Sequence, residues 1–131
     1  GIGDSIRSSL SGPAPDDVWA AWEVLHALGL RKKSTPEIMA CPTCGRAHLD
    51  TAHLADKLET LVGHAKLPLK VAVMGCEVNG PGEASEADLG VAGYRGGAAL
   101  FIKGKLVKRI PSARILAELM KSMKSFTKEK I

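Results

Sequence analysis

Cysteine is scarce in this sequence: there are three in 131 residues. An odd count argues against a closed disulfide framework. Aromatic residues are also few, with one Tyr and two Phe beside two Trp, a poor supply for the stacking platforms of single-strand nucleic-acid binders. No apolar run approaches the roughly 18 residues a membrane span needs, and no signal-peptide apolar region opens the chain. Internal repeats and low-complexity tracts are absent. Methionine is missing from position 1, where Gly1 stands, so the sequence reads as a fragment or a processed product. With nothing pointing to export, the expected location is the cytoplasm or a plastid-type organelle interior. In such a reducing compartment, three cysteines read more naturally as metal ligands or redox thiols than as staples.

What is present suits one soluble globular domain: 45% hydrophobic residues, 24% charged, and a length able to bury a core. The net charge of +4 is unevenly placed, because Lys103 to Ile131 holds nine Lys/Arg against Glu118 and Glu129, an excess of seven. Such a stretch suits nucleic acid, a membrane surface or an acidic protein, although a solvated face on a C-terminal helix is the commoner meaning.

Along the chain, Gly1 to Ser9 reads as a strand end followed by a polar loop, and Ser11 to Pro15 as a linker. Asp16 or Asp17 is expected to cap a helix with Val18, Trp22, Leu25 and Leu28 on one face, stopped by Gly29. Glu37 to Ala40 is an extended run leading into Cys41. A second helix starts at Asp50 or Thr51, carries Leu54, Leu58, Leu61 and Val62 inward, and ends at Pro68. Leu69 to Met74 has the continuous apolar pattern of a strand covered on both faces. Beyond a Gly-rich loop over 75–83, strands are predicted at Leu89 to Gly93, Ala98 to Ile102 and Lys105 to Ile110, with a tight turn at Lys103-Gly104. A last helix starts at Pro111 or Ser112, striped by Ile115, Leu119, Met123 and Phe126. The order β-α-β-α-β-β-β-β-α predicts an α/β (α+β) domain, a small mixed sheet flanked by helices whose stripes are core.

Chemistry concentrates at the cysteines. Cys41-Pro-Thr-Cys44 places two thiolates on one turn, able to grip one metal centre. By itself the pair also fits a thioredoxin-like dithiol or a structural zinc knuckle. Cys76 shifts the balance, since it follows the buried strand and opens the run Cys76-Glu-Val-Asn-Gly-Pro-Gly-Glu83. Ends of strands in open α/β sheets are where sites form. Gly80 and Gly82 lack Cβ atoms, which lets backbone N–H groups approach an anionic centre. Three cysteines leave a four-coordinate centre one ligand short, open to Glu77, Glu83, Glu86, His48, His53 or His64. With a histidine the site becomes a structural Cys3His zinc module, binding nucleic acid through the basic C-terminal tail, and His48 is its best candidate.

The blocks CPTCGR and VAVMGCEVNGPGEA, the latter followed by AD-x-G, resemble the C-terminal cluster domain of the 4-hydroxy-3-methylbut-2-enyl diphosphate synthase family of the methylerythritol phosphate route to isoprenoids. GIGDSIRSSL is similar to the last strand of that family's TIM barrel. The likeness runs from Gly1 to Lys103. It departs at Glu77, usually hydrophobic, and at Ser5 and Ser8, commonly Thr and Val; most of the barrel is missing.

The resemblance implies a barrel remnant and linker over 1–12 and an iron–sulfur domain over 13–131, with a fold like the cluster domain of sulfite and nitrite reductases. It implies a 4Fe–4S cluster on Cys41, Cys44, Cys76 and Glu83. Asn79 is then near the substrate and, with Glu83, catalytic, while Arg7 and Ser9 hold the substrate's diphosphate. Arg and Ser two apart on a strand share a face, which fits two donors on one phosphate. The implied reaction is reductive ring opening of 2-C-methyl-D-erythritol 2,4-cyclodiphosphate. Flavodoxin or ferredoxin is the implied electron donor, for which the basic stretch offers a docking surface, and the full-length enzyme is a homodimer.

Overall fold

A computed structural model describes residues 2–63 and 65–128, with side chains up to Phe126. His64, one of the possible fourth ligands, and residues 129–131 of the basic stretch lie outside the described residues. The chain divides into two compact units, Gly1–Lys33 and Ser34–Ile131.

The first unit is an irregular lead-in followed by helix α1 (Ala14–Ala27). No strand forms in the lead-in among the described residues. The helix starts earlier than the sequence pattern predicts: Pro13 is its N-cap, and Asp16 and Asp17 sit in its first turn. Prolines suit that first turn because their φ is already helical and the missing N–H has no partner to lose. Asp17 instead fastens the lead-in, accepting from the Leu10 amide at 2.7 Å through its carboxylate and from Ser8 Oγ through its carbonyl. Gly29 stops the helix as predicted. Its φ of +68° lets its amide donate to the His26 carbonyl and the Leu30 amide to the Leu25 carbonyl, both at 2.9 Å, a Schellman closure. The predicted stripe is not core in this unit, since α1 buries no residue and Val18 and Leu28 are 61% and 67% exposed. One helix with an irregular lead-in has no second layer to cover it.

The second unit is a five-stranded mixed sheet: β1 (Glu37–Ala40), β2 (Lys70–Met74), β3 (Leu89–Tyr94), β4 (Gly97–Ile102) and β5 (Lys105–Pro111), side by side in that order. β1, β2 and β3 run parallel; β4 and β5 are antiparallel to their neighbours. Helix α2 (Thr51–Val62) joins β1 to β2, and α3 (Gly80–Glu86) joins β2 to β3. A 3-10 turn over Ser112–Arg114 leads into α4 (Ile115–Lys128). This is the predicted α/β architecture, with two corrections to its order. The opening strand is absent among the described residues, and the Gly-rich run expected as a loop contains α3.

Alternation along the strands sorts the core. Val71, Val73, Leu89 and Val91 pack with Leu58 of α2 and with Ile115, Leu119, Met123 and Phe126 of α4. Ala72, Met74, Ala92 and Phe101 pack with Ala84 of α3 on the other face. Since β1, β2 and β3 follow one another across the sheet, helices on opposite faces give their crossovers opposite hands. One of the two therefore departs from the right-handed rule.

Tertiary fit explains why Gly80 opens α3 and why Gly90 faces it. A Cβ on Gly80 would stand 3.0 Å from the Cβ atoms of both Met74 and Ala92. One on Gly90 of β3 would meet the Ala84 carbonyl oxygen at 2.5 Å and its Cα at 2.8 Å. The helix lies directly on the sheet, which overrides glycine's poor helix propensity. Helix α2 also ends differently from the prediction, at Val62 with Gly63 as its cap and not at Pro68. Leu61, expected inside, is 56% exposed. At the β4–β5 turn, Lys103 and Gly104 adopt φ of 48° and 78°, the mirror-image turn that matches strand twist.

Gly90→Ala is expected to destabilise the chain by about 1–3 kcal/mol through overpacking against Ala84. Urea or thermal unfolding checks this, and wild-type stability would show that α3 can lift from the sheet without cost.

Candidate metal centre

Cys41 and Cys76 follow the carboxyl ends of two adjacent parallel strands. Ala40 pairs with Val73, and the Cys41 amide continues the ladder onto the Val73 carbonyl at 3.1 Å. Two loops therefore leave the sheet side by side, at the place where open α/β sheets form sites.

The first loop, from Cys41 to Asp50, is tied down at several points. The Ala47 amide donates to the Cys44 carbonyl at 3.0 Å, and the His48 amide to the Gly75 carbonyl at 2.7 Å. Asp50 caps α2 by accepting from the His53 amide at 3.0 Å, as predicted for the helix start. Thr51, fully buried, donates its hydroxyl to the Cys41 carbonyl at 3.0 Å. The two loops meet at a sulfur, where the Gly75 amide donates to Cys41 Sγ at 3.0 Å. A side chain on Gly75 would crowd Ala47, Thr51 and that same sulfur, so glycine is needed for the approach.

All three cysteines are free thiols. Together with Asn79, Glu83, Glu86 and Arg46 they line one cleft of about 510 Å³, floored by Met39 and Met74. Cys44 and Glu83 are exposed, whereas Cys41 and Cys76 are half-buried. Backbone N–H groups hold the Cys76 thiol below its ordinary pKa, that of Asn79 foremost, followed by Val78 and Gly80, with the Arg46 guanidinium adding to them. Partial burial opposes this shift.

The predicted ligands Cys41, Cys44, Cys76 and Glu83 thus share a cleft with Asn79. Glu83 lies in the first turn of α3. The proposed use of the two glycines needs correction. Gly80 lacks a Cβ to fit against the sheet, and Gly82 has open space around it; only the Gly80 amide turns to a sulfur. The histidines of the zinc reading lie elsewhere: His48 and His53 are exposed and outside the cleft lining. Among the described residues, no group of three or more His, Cys, Asp or Glu side chains is close enough to hold a single metal ion.

Arg7 and Ser9 belong to the first unit, in a segment without strand structure. Arg7 lines a hollow of about 410 Å³ with Ser8, Asp17 and Trp22, and Ser9 is not among its lining residues. Two residues that serve the cleft carry little signal in the sequence. Arg46 was visible only as the last letter of CPTCGR. Thr51 gave no signal beyond standing next to a capping Asp, because its partner is a backbone carbonyl ten residues away.

Three thiols, one of them shifted toward thiolate, plus an exposed carboxylate make a donor set that suits a sulfur-ligated iron centre. Residues 37–125 match the family described as the GcpE protein C-terminal domain. Among curated relatives, a protein of Caldanaerobacter subterraneus subsp. tengcongensis is 48% identical over 129 residues, 98% of this chain and 36% of its own length. One from Lawsonia intracellularis is 52% identical over 110 residues, 84% of this chain and 30% of its own length. Another, from Streptomyces griseus, is 48% identical over 120 residues, 92% of this chain and 31% of its own length. Each is named 4-hydroxy-3-methylbut-2-en-1-yl diphosphate synthase (flavodoxin). The chain spans about a third of the length of these relatives.

A lowered pKa keeps Cys76 ionised at pH values where an ordinary thiol is protonated. Iodoacetamide labelling of the metal-free chain, read at Cys76 by mass spectrometry, should therefore show its inflection below the ordinary value of about 8.5. An inflection at or above that value would mean that the 78–80 amides do not serve the sulfur.

Proposed function

The chain belongs to the GcpE C-terminal domain family, and on that premise we propose that it is the iron–sulfur portion of a 4-hydroxy-3-methylbut-2-en-1-yl diphosphate synthase. The observation that carries this reading is the meeting of Cys41, Cys44, Cys76 and Glu83 at one cleft. The group proposed there is a 4Fe–4S cluster, in which each ligand binds a different iron, so the four side chains need not converge on one point. When bound, such a cluster supplies single electrons together with Lewis acidity.

The chain's own residues have distinct tasks. Three soft thiolates hold iron firmly, whereas the Glu83 carboxylate is a harder and more exchangeable partner. Its exposed position lets it swing away without disturbing the core. The Gly75 amide on Cys41 and the 78–80 amides at Cys76 stabilise negative charge on sulfur. Met39 and Met74 give the cleft part of its apolar lining. Asn79, exposed and making no side-chain capping bond to α3, is free to turn its amide to a substrate.

For the whole protein, the proposed reaction is the two-electron reductive opening of 2-C-methyl-D-erythritol 2,4-cyclodiphosphate, with cleavage of a C–O bond and loss of water. Arg7 and Ser9 are the proposed diphosphate contacts, and flavodoxin, which appears in the relatives' names, is the proposed donor. The proposed setting is the cytoplasm.

Reconstitution of the chain with iron and sulfide under anaerobic conditions tests the centre. A brown protein with the absorption and iron–sulfide ratio of a 4Fe–4S cluster is expected, with Cys41→Ser, Cys44→Ser or Cys76→Ser abolishing the colour. Glu83→Ala should keep a cluster that loses iron more readily. A colourless protein that takes up zinc and is indifferent to Glu83→Ala would refute the reading.

The substrate half is expected to lie mostly in the two thirds of the relatives that this chain does not span. The reconstituted chain should accept electrons yet convert no cyclodiphosphate, and measurable product by mass spectrometry would overturn that division of labour.

A further inference from the structure

The second unit contains four arginines, Arg46, Arg95, Arg109 and Arg114, and all four are exposed. Strand register places them at one end of the sheet. Met74, the last residue of β2, pairs with Ala92, which pairs with Ala99, which pairs with Arg109. Arg109 is therefore level with the exit of the Cys76 loop, three strand spacings or about 14 Å away. Arg95 is in the β3–β4 turn at the same end, and Arg114 is in the 3-10 turn that follows Pro111, the partner of Gly97. Arg46 lines the cleft itself. Lysines mark the opposite end, with Lys70 opening β2 and Lys103 and Lys105 at the β4–β5 turn. The basic stretch from Lys103 onward is thus not one surface, because β5 carries it from one end of the sheet to the other.

The Arg109 guanidinium lies 5.3 Å from the centre of the Tyr94 ring, which holds it ready. Among the described residues, no salt bridge neutralises Arg46, Arg95, Arg109 or Arg114, whereas Lys108 is spent on Glu118 at 2.6 Å. Val107, two residues before Arg109 along β5, is 52% exposed. Arginine is weakly hydrated and enriched at protein interfaces, where lysine is depleted. The acids at this end are Asp50 and Glu77 on the loops, Glu83 and Glu86 in the cleft, and Glu118 in the first turn of α4, which Lys108 pairs and which also feels the Arg114 charge. Gly93 of β3 touches the Gly75 carbonyl, so that an added Cβ would stand 2.5 Å from it. The backbone at the end of β3, from which Tyr94 and the β3–β4 turn continue, therefore abuts the start of the Cys76 loop.

We propose that the end of the sheet marked by Arg95, Arg109 and Arg114 docks an acidic one-electron carrier protein whose electron enters the centre held in the adjoining cleft. This rests on the iron–sulfur reading above. In each encounter the reduced flavin of the carrier loses one electron and the centre gains one, with no bond made or broken.

The test is stopped-flow reduction of the reconstituted chain by reduced flavodoxin, compared with reduction by dithionite. For the variant R95E/R109E/R114E, the flavodoxin rate constant should fall on the order of tenfold or more at low salt and lose most of its salt dependence. Its visible spectrum and its dithionite rate should match the wild type. An unchanged flavodoxin rate overturns the proposal, as does an equal fall with dithionite. A fall seen instead in K121E/K124E on α4, with the arginine variant normal, overturns it in favour of the α4 face. Failure of the wild-type chain to form any cluster is a separate outcome, which removes the iron–sulfur reading and the docking site with it.

Discussion

Parallel pairing of β1 with β2 is the constraint on which the site depends. Because the two strands run the same way and in register, the segments that leave them emerge together, and each begins with a cysteine or reaches one within two residues. A parallel pair also requires a crossover, supplied by α2, whose first residue returns a buried hydroxyl to the Cys41 carbonyl. The hydrogen bond from the Gly75 amide to Cys41 Sγ then locks the two loops at the sulfur itself. Shifting the register by one residue would turn Val71 and Val73 to the wrong face and would separate the loops as well, so core and site are held by the same pairing.

The two faces of the sheet are covered unequally, and this shapes the cleft. One face carries α2 and α4 over a core of branched aliphatic and aromatic side chains. The other carries the short α3, seated through Gly80, Ala84 and Gly90. Small residues let α3 lie so close that its first turn stays beside the strand ends, bringing Glu83 to the cleft that the three cysteines line. A longer helix or a bulkier contact would lift that carboxylate away. The opposite hands of the two crossovers belong to the same arrangement, since α3 reaches the cysteine end only from the face that α2 leaves free.

Charge follows the same geometry. Backbone amides act on Cys76 through hydrogen bonds, and the Arg46 charge adds a smaller contribution. The outer arginines act at longer range, where solvent and salt screen them. The first set stabilises the thiolate needed for a metal centre, and the second suits a transient encounter with a charged partner.

Much of this was legible in the sequence by itself. Short-range patterns announce their structures locally: the extended run before Cys41, the apolar β2, the Lys103-Gly104 turn, the Gly29 stop and the Ile115–Phe126 stripe all formed where the sequence placed them. The three cysteines stand out by motif, whereas the residues alone leave the fourth ligand open and only the likeness to the synthase family, carried by the two cysteine blocks, points to Glu83. What only the tertiary structure decided concerns contacts between distant segments. The run from Gly80 became a helix because a sheet surface of alanines and a methionine accepts a glycine-bearing helix, which no window of nine residues reveals. Helix α1 failed to bury its stripe because periodicity predicts a face but not whether anything covers it. The grouping of four arginines at the cysteine end was hidden for the same reason, since residues 46, 95, 109 and 114 are far apart in the chain and come to one end of the sheet only through strand direction and register.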